Sequence, residues 1–299
     1  MQENIQDIYI GKCQLYVKEI REEGMFDKFV NRYIIEAELI LVTALHIGAA
    51  EYVLKPGGCK NPFFRNAAGQ PLIPGSSIKG AMRGFLEQYL SSESGKEKFS
   101  KRVNYRKAIC NEENPCADAK NDEQLRKLLK GRDKDSQRQL SNYLFGIEEE
   151  KKENGKLCII CRLFGSQYNA AKFSVRDAGV IKETFQEKFE IRSGVAIDRN
   201  FGTSINGKKF ETEVVPEGTC FSFRAILENG DETEWEIIQD VLHAMEIGMI
   251  PIGGMKSRGL GEVKLQNIRY QKIDEKNIAK YLSGEKIEFN NFTKEHKEE

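Results

Sequence analysis

From about residue 92 to residue 157 the chain has too little apolar material to build a core. A core must therefore form by closing the patterned segments on either side of this stretch onto each other. Residues 33–47, YIIEAELILVTALHI, combine alternation with β-branched side chains and predict a long strand. A Gly/Pro-punctuated stretch from Lys55 to Gly75 reads as an ordered connection. Ile78, Met82, Phe85, Leu86, Tyr89 and Leu90 then recur at helical spacing, with Ser76 or Ser77 as the expected N-cap.

Beyond the polar stretch, Ala171–Asp177, Lys188–Ile197, Glu213–Val215 and Thr219–Leu227 read as strands, the last two separated by the turn Pro216-Glu217-Gly218. Asn206-Gly207, between two β-compatible arms, predicts a hairpin turn. Glu234–Ile247 reads as a second helix, Gly261–Tyr270 as a last strand, and the charged residues after Ile273 as a partly mobile tail. With the insertion set aside, the order strand, helix, strands, helix, strand predicts an α+β chain with a βαββαβ, ferredoxin-like plan. The expected division is a core from 1–100 and 165–275, an insertion at 101–164 and a tail at 276–299.

Lys plus Arg (46) balance Asp plus Glu (46), so bulk positive charge cannot carry a partner to this protein and any nucleic-acid site must come from local clusters. No run of about 18 apolar residues exists to span a membrane. The N-terminus lacks a basic region followed by an apolar one, and a cytoplasmic location is expected.

Two cationic elements stand out. Around Ile73-Pro74-Gly75-Ser76-Ser77-Ile78-Lys79-Gly80-Ala81-Met82-Arg83 a helix opens, and its unpaired N–H groups suit a phosphate. Lys79 and Arg83, four apart, share a face away from the apolar stripe. From these residues alone, a capped helix with a solvated basic edge is the better reading. The second element, Gly253-Gly254-Met255-Lys256-Ser257-Arg258-Gly259-Leu260-Gly261, has four glycines in nine residues. Glycine permits positive φ and exposes backbone N–H groups beside Lys256 and Arg258, an arrangement suited to phosphate contact. It follows a helix and leads into a strand, which excludes a Walker loop or a dinucleotide fingerprint. Met255 fits either a wedge against a base or a core position, and His46 either a ligand contact or packing at a strand end.

Seven cysteines, an odd number, argue against a disulfide framework in this setting. Cys110 and Cys116 pair with Cys158-x2-Cys161 to offer four thiolates for one structural Zn²⁺, a clip for an insertion that lacks a core. None of the three histidines has a Ser or Cys partner at triad spacing.

Taken together, Leu45-His46-Ile47-Gly48, Pro71–Gly80, Cys161-Arg162-Leu163-Phe164-Gly165, Ala196-Ile197-Asp198-Arg199 and Gly253–Gly261 resemble the RAMP superfamily of CRISPR proteins, in particular the Cas-seven group of type III complexes. The resemblance implies an RRM-like core with a β-hairpin thumb, polymerising along a guide CRISPR RNA beside neighbouring Cas-seven-like domains and other effector subunits. It further implies that His46, Ser76, Ser77, Lys79, Arg83, Lys256, Ser257 and Arg258 hold RNA. The thumb would run from about Asp198 to Glu213, with Arg199 as its anchor, and target RNA would be positioned against it. Slicing relatives carry an aspartate two residues before a proline in the loop after the first strand. In Cys59-Lys60-Asn61-Pro62 that slot holds Lys60, which cannot serve as the carboxylate of metal-assisted cleavage. No catalytic residue is assigned, and Glu51 is the one weak candidate. The expectation is an RNA-binding subunit, with an endoribonuclease as the alternative.

Overall fold

A computed structural model of the protein describes residues 28–49, 59–99, 116–117, 120–131, 133–145 and 156–292. Glu51, Cys110 and His296 lie outside the described residues. The chain is α+β. Its main sheet is antiparallel with strand order β3-β7-β1-β8-β9. These strands are β1 (Asn31–Leu41), β3 (Phe173–Val175), β7 (Cys220–Glu228), β8 (Val263–Asp274) and β9 (Asn290–Asn291). Alternation decides which side of the sheet is covered. Ile35, Leu39 and Leu41 of β1, with Phe221, Phe223 and Ala225 of β7, are buried in one core cluster.

Helix α1 (Gly75–Ser91) buries Ile78, Met82, Leu86 and Leu90, one residue per turn, on this core. Two short helices follow in the polar stretch, α2 (Glu93–Phe99) and α3 (Glu123–Leu128), then α4 (Lys134–Phe145) and α5 (Ile159–Phe164). Ile160 and Leu163 of α5 are fully buried in the same core, and Phe164 packs on Phe173. The cysteine-bearing end of the expected insertion is therefore anchored in the main core.

Helix α6 (Glu232–Glu246) opens with a reciprocal capping box between Asp231 and Glu234. Its Trp235 stacks on Tyr33 of β1 with ring centroids 4.2 Å apart. Glu234 is buried and ion-paired with buried Lys172 at 2.7 Å. A buried charge pair holds only with close geometry, and the cap and the Lys172 ammonium supply it here.

Three local expectations need correction. The first strand ends at Leu41, and residues 42–48 continue as irregular chain with isolated bridges Leu45↔Val215 and Gly48↔Phe63. Helix α1 is capped by neither Ser76 nor Ser77. Pro74 is its N-cap residue without a side-chain bond, and the Gly75 N–H is taken instead by Asp177 Oδ1 at 2.8 Å, a carboxylate distant in sequence.

The hairpin consists of β5 (Glu190–Ile197) and β6 (Ser204–Val214), longer than expected and turning at residues 198–203. Asp198 Oδ1 accepts from the N–H groups of Asn200 and Phe201, and Gly202 takes φ +67°, so an Asx-type turn closes the loop. The Asn206-Gly207 pair lies within β6, in the stretch where pairing with β5 shifts register between Val195 and Ile197. It marks an irregularity in the strand and not the turn.

The charged tail is described as far as Phe292. Asn290 and Asn291 pair with Tyr270 and Arg269 at the sheet edge, and Phe292 is buried. Among the described residues, no helix is long and apolar enough to cross a membrane.

Candidate nucleic-acid interface

The two cationic elements are joined by a ladder of backbone hydrogen bonds. Gly254 donates to the His46 carbonyl at 2.9 Å, Phe64 to the Ile47 carbonyl at 2.8 Å, and Leu72 to the Phe64 carbonyl at 3.2 Å. Leu72 and Ile73 form β2, which pairs with β4 (Ala178–Gly179) and runs through Pro74 into α1. Each lateral step spans about 4.8 Å, so the glycine-rich loop and the approach to α1 are separated by roughly 15 Å of paired backbone.

The glycine-rich loop depends on its glycines for fit. Gly253 has φ +82°, and a Cβ there would lie 2.4 Å from the His46 carbonyl oxygen. At Gly261, φ +85°, a Cβ would meet the Ile252 carbonyl oxygen at 2.1 Å. Between them a 3₁₀ turn, Lys256–Arg258, leaves Lys256, Ser257 and Arg258 exposed. Met255, at φ +59°, packs against the small cluster of Ala44, Val214 and Leu260. Of the two sequence readings of Met255, this contact favours the packed one.

His46 is half-buried beneath this loop. Its Nδ1 meets the Glu213 carbonyl oxygen at 2.7 Å, tying the irregular chain after β1 to the root of the hairpin. The Glu213 carboxylate accepts from the Phe63 N–H at 2.8 Å and from Arg65 Nη2 at 2.6 Å. Arg65 in turn lies 4.0 Å over the Phe189 ring. Sequence reading missed Glu213, Arg65 and Asp177; a carboxylate beside Val214-Val215 was the available signal for the first.

On α1, Ser76 is exposed, while Ser77 and Lys79 are half-buried. Burial, and then the neighbouring Arg83 guanidinium, lower the Lys79 pKa. Arg83 Nε donates to Glu87 at 2.8 Å, and its Nη1 donates to the Gly165 carbonyl at 3.2 Å.

The hairpin exposes apolar side chains. Ile191, Val195 and Ile197 lie on one face of β5, and Phe201, 81% exposed, sits at the tip beside exposed Arg199. Phe210 of β6 covers Gly194 and lies 5.7 Å beneath the Arg258 guanidinium, so the hairpin and the glycine-rich loop touch. An aromatic in a polar Asx turn was the signal for Phe201, and sequence reading passed over it.

Lys60 is exposed at the hairpin root. Its neighbours fasten the loop to β6: Asn61 Nδ2 donates to the Glu211 carbonyl at 3.0 Å, and Cys59 Sγ lies 3.4 Å from the same oxygen.

The uncovered face of the sheet offers a different chemistry. Glu36 pairs with Arg269 at 3.0 Å and Arg224 at 3.4 Å, and Glu38 accepts from Asn267 at 3.0 Å. The β1 and β7 positions there are Ile34, Glu36, Glu38, Ile40, Cys220, Ser222, Arg224 and Ile226, with no aromatic on which a base could stack. The cleft of about 1040 Å³ above this face is lined by none of the cations expected to hold RNA. Its mixed charge and paired ions make it a poor phosphate track, so we place the candidate interface at the loop end.

Cys116, Cys158 and Cys161 bring their Sγ atoms within 4.8 Å of one another. Thiolates on one tetrahedral zinc, at Zn–S of about 2.3 Å, stand about 3.8 Å apart, so a small contraction would suit the ion. The Cys158 N–H donates to Cys116 Sγ at 3.2 Å. These three residues fit three of four metal ligands; the expected fourth, Cys110, lies outside the described residues.

Comparison with known proteins matches residues 38–264 to the RAMP superfamily. The chain belongs to this superfamily. Among its relatives is the CRISPR system Cms endoribonuclease Csm3 of Methanocaldococcus jannaschii, 29% identical over 248 residues and covering 80% of each chain. Proteins of the same description from Methanothermobacter thermautotrophicus and Streptococcus thermophilus are 27% identical over 285 residues and 24% over 255. These alignments cover 86% and 83% of this chain, and 91% and 96% of theirs. The superfamily match spans both cationic elements, the hairpin and the helix that carries Cys158 and Cys161.

Proposed function

We propose that this RAMP-superfamily chain is a backbone subunit of a type III CRISPR effector complex, holding guide RNA and positioning target RNA. The observation that carries the reading is the backbone ladder joining the glycine-rich loop to the approach of α1, with the hairpin rooted on the same residues. Ser76, Ser77, Lys79, Arg83, Lys256, Ser257 and Arg258 contact guide phosphates, His46 supports the loop from beneath, and Arg199 anchors the thumb on RNA. The sheet order, with α1 packed on the core between β1 and β3 and α6 between β7 and β8, supports an RRM-like core. The ion-paired sheet face is not used for bases; Phe201 and the apolar edge of β5 present themselves to bases and to a neighbouring subunit. Cys116, Cys158 and Cys161, with Cys110, hold a structural zinc that clips the insertion.

Affinity from phosphate contacts falls as salt rises. The test is binding of a labelled single-stranded RNA across a salt series, by wild type and by Lys79→Ala and Arg258→Ala. Each variant should give a slope shallower by about 0.7 per lost contact. Binding that ignores both substitutions and salt defeats the proposal. Metal analysis should find about one zinc per chain.

The relatives' description as endoribonucleases favours a second reading, in which the subunit cuts target RNA. Lys60 speaks against it, because an ammonium at the hairpin root can hold a phosphate but cannot ligate a metal as a carboxylate does. Labelled target incubated with the assembled complex should remain intact. Cleavage that disappears in Glu51→Ala establishes the second reading.

A further inference from the structure

We propose that Arg65 reads the ribose 2′-hydroxyl, so that the interface prefers RNA to DNA. This inference rests on the RNA-binding reading above and deepens it, from holding a strand to recognising its sugar. Arg65 follows the central rung of the backbone ladder, where Phe64 bonds to both Ile47 and Leu72, and it pairs with Pro71 on the way to α1. Its place is between the glycine-rich loop and the approach to the helix, against the hairpin root.

The guanidinium is held from two sides. Nη2 donates to the Glu213 carboxylate at 2.6 Å, and Cζ lies 4.0 Å over the Phe189 ring. Both supports are themselves fixed. The Glu213 carboxylate also accepts from the Phe63 N–H, while its backbone N–H donates to Asn61 and its carbonyl accepts from His46. Phe189 packs edge-on against buried Phe185, with ring centroids 5.4 Å apart. A guanidinium presents five N–H groups in a rigid fork. Among the described residues, Nε and Nη1 of Arg65 have no hydrogen-bond partner, and neither is sealed from solvent.

The charge of this fork is already met. The Arg65 and Glu213 side chains are 29% and 12% exposed, so water screens them little, and a phosphate brought to the guanidinium faces the carboxylate beside it. Lys256 and Arg258 are exposed and have no carboxylate partner among the described residues, which suits them to phosphates and sets Arg65 apart. A neutral acceptor meets no such repulsion at Arg65. Base edges change with sequence, whereas the 2′-hydroxyl recurs at every nucleotide of RNA and is missing from DNA. A chain that holds guides of any sequence is served by the recurring group. Arg65 is then a specificity-determining residue, and Glu213 and Phe189 are its positioning residues.

The full-length protein is measured with a labelled single-stranded RNA and with a 2′-deoxy strand of the same bases, uracil kept in both, each across a salt series. Wild type should bind the ribose strand on the order of tenfold better, the share of one hydrogen bond to a charged group. The two strands should give the same salt slope, because no phosphate contact separates them. Arg65→Lys keeps a charge beside Glu213 but loses the fork, and most of the preference should go with it. Arg65→Met combined with Glu213→Gln removes both charges together and should do the same with the slope unchanged. Lys79→Ala should do the reverse, giving a shallower slope with the preference kept. Far-UV circular dichroism checks the fold of each variant, and the comparison of strands on wild type needs no variant.

Four results overturn the inference while leaving RNA binding in place. Wild type may bind the two strands equally, or the preference may survive both Arg65 variants. An equal loss on both strands marks structural support alone. A slope shallower by about 0.7 in the double variant marks a phosphate contact instead. Failure of wild type to bind RNA overturns the functional reading and this inference together.

Discussion

The imidazole Nδ1 of His46 stands 2.7 Å from the backbone carbonyl oxygen of Glu213. A carbonyl only accepts, so Nδ1 carries the hydrogen, and the ring orientation follows. The His46 backbone carbonyl accepts in turn from Gly254. One residue thereby fastens the irregular chain after the first strand to both the hairpin root and the glycine-rich loop.

His46→Ala removes the hairpin tie and leaves the Glu213 carbonyl without that donor. The expected cost is about 1–2 kcal/mol in stability, read by chemical denaturation. RNA affinity should fall further than the stability loss accounts for, since the hairpin root loses its tie to the residue that supports the glycine-rich loop. His46→Asn, which can still donate an N–H, should recover part of both.

Gly253 and Gly259 both adopt φ +82°, but only Gly253 has a backbone oxygen where a Cβ would go. Gly259→Ala should cost about 1–2 kcal/mol, the penalty for a left-handed residue with open space around it. Gly253→Ala adds the collision with the His46 carbonyl and should cost more than Gly259→Ala, with a larger loss of RNA binding. Thermal unfolding of the two variants side by side is the check; equal costs would show that the loop relaxes around the new methyl.

Phe201 is 81% exposed, so Phe201→Ala should leave folding stability within about 0.5 kcal/mol of wild type. Stacking of one base on an aromatic ring contributes about 1–3 kcal/mol. Target RNA held by the assembled complex should therefore dissociate faster in Phe201→Ala, while binding of guide alone changes little. Unchanged dissociation would remove the tip from the target contact.

Burial and Arg83 both lower the Lys79 pKa, so the folded protein releases this proton at a lower pH than the unfolded chain does. Between those two pKa values the unfolded chain binds more protons, and folding stability gains as pH rises. RNA binding needs the charged ammonium, so affinity should move the other way, weakening as pH rises through the lowered pKa. Removing the Arg83 charge in Arg83→Ala should shift this weakening to higher pH. Affinity measured against pH in wild type, Arg83→Ala and Lys79→Ala tests the sign; Lys79→Ala should lose the dependence.

Periodicity alone was enough to recognise α1 and α6, because Ile78, Met82, Leu86 and Leu90 can share a core only on a helix. The glycine-rich loop was legible too, and at Gly253 and Gly261 a Cβ would strike neighbouring backbone. Where the chain turns in the hairpin was not. Asn206-Gly207 carries the stronger local signal, yet the turn formed at Asp198, whose carboxylate caps two N–H groups at once. Pairing register along two long strands outweighs the preference of one dipeptide.

What the amino-acid sequence determined by itself was therefore what can be read from neighbours along the chain: helix faces, the order of elements, cation and thiol clusters. Tertiary structure alone decided which distant groups complete them. Asp177 takes the first N–H of α1, Glu213 gathers Phe63, Arg65 and His46, and the Gly165 carbonyl accepts from Arg83. These are hydrogen bonds across 82 to 167 positions of sequence. They exist only after the core has closed, because ordering such distant groups costs entropy that local pattern cannot offset and shared burial can.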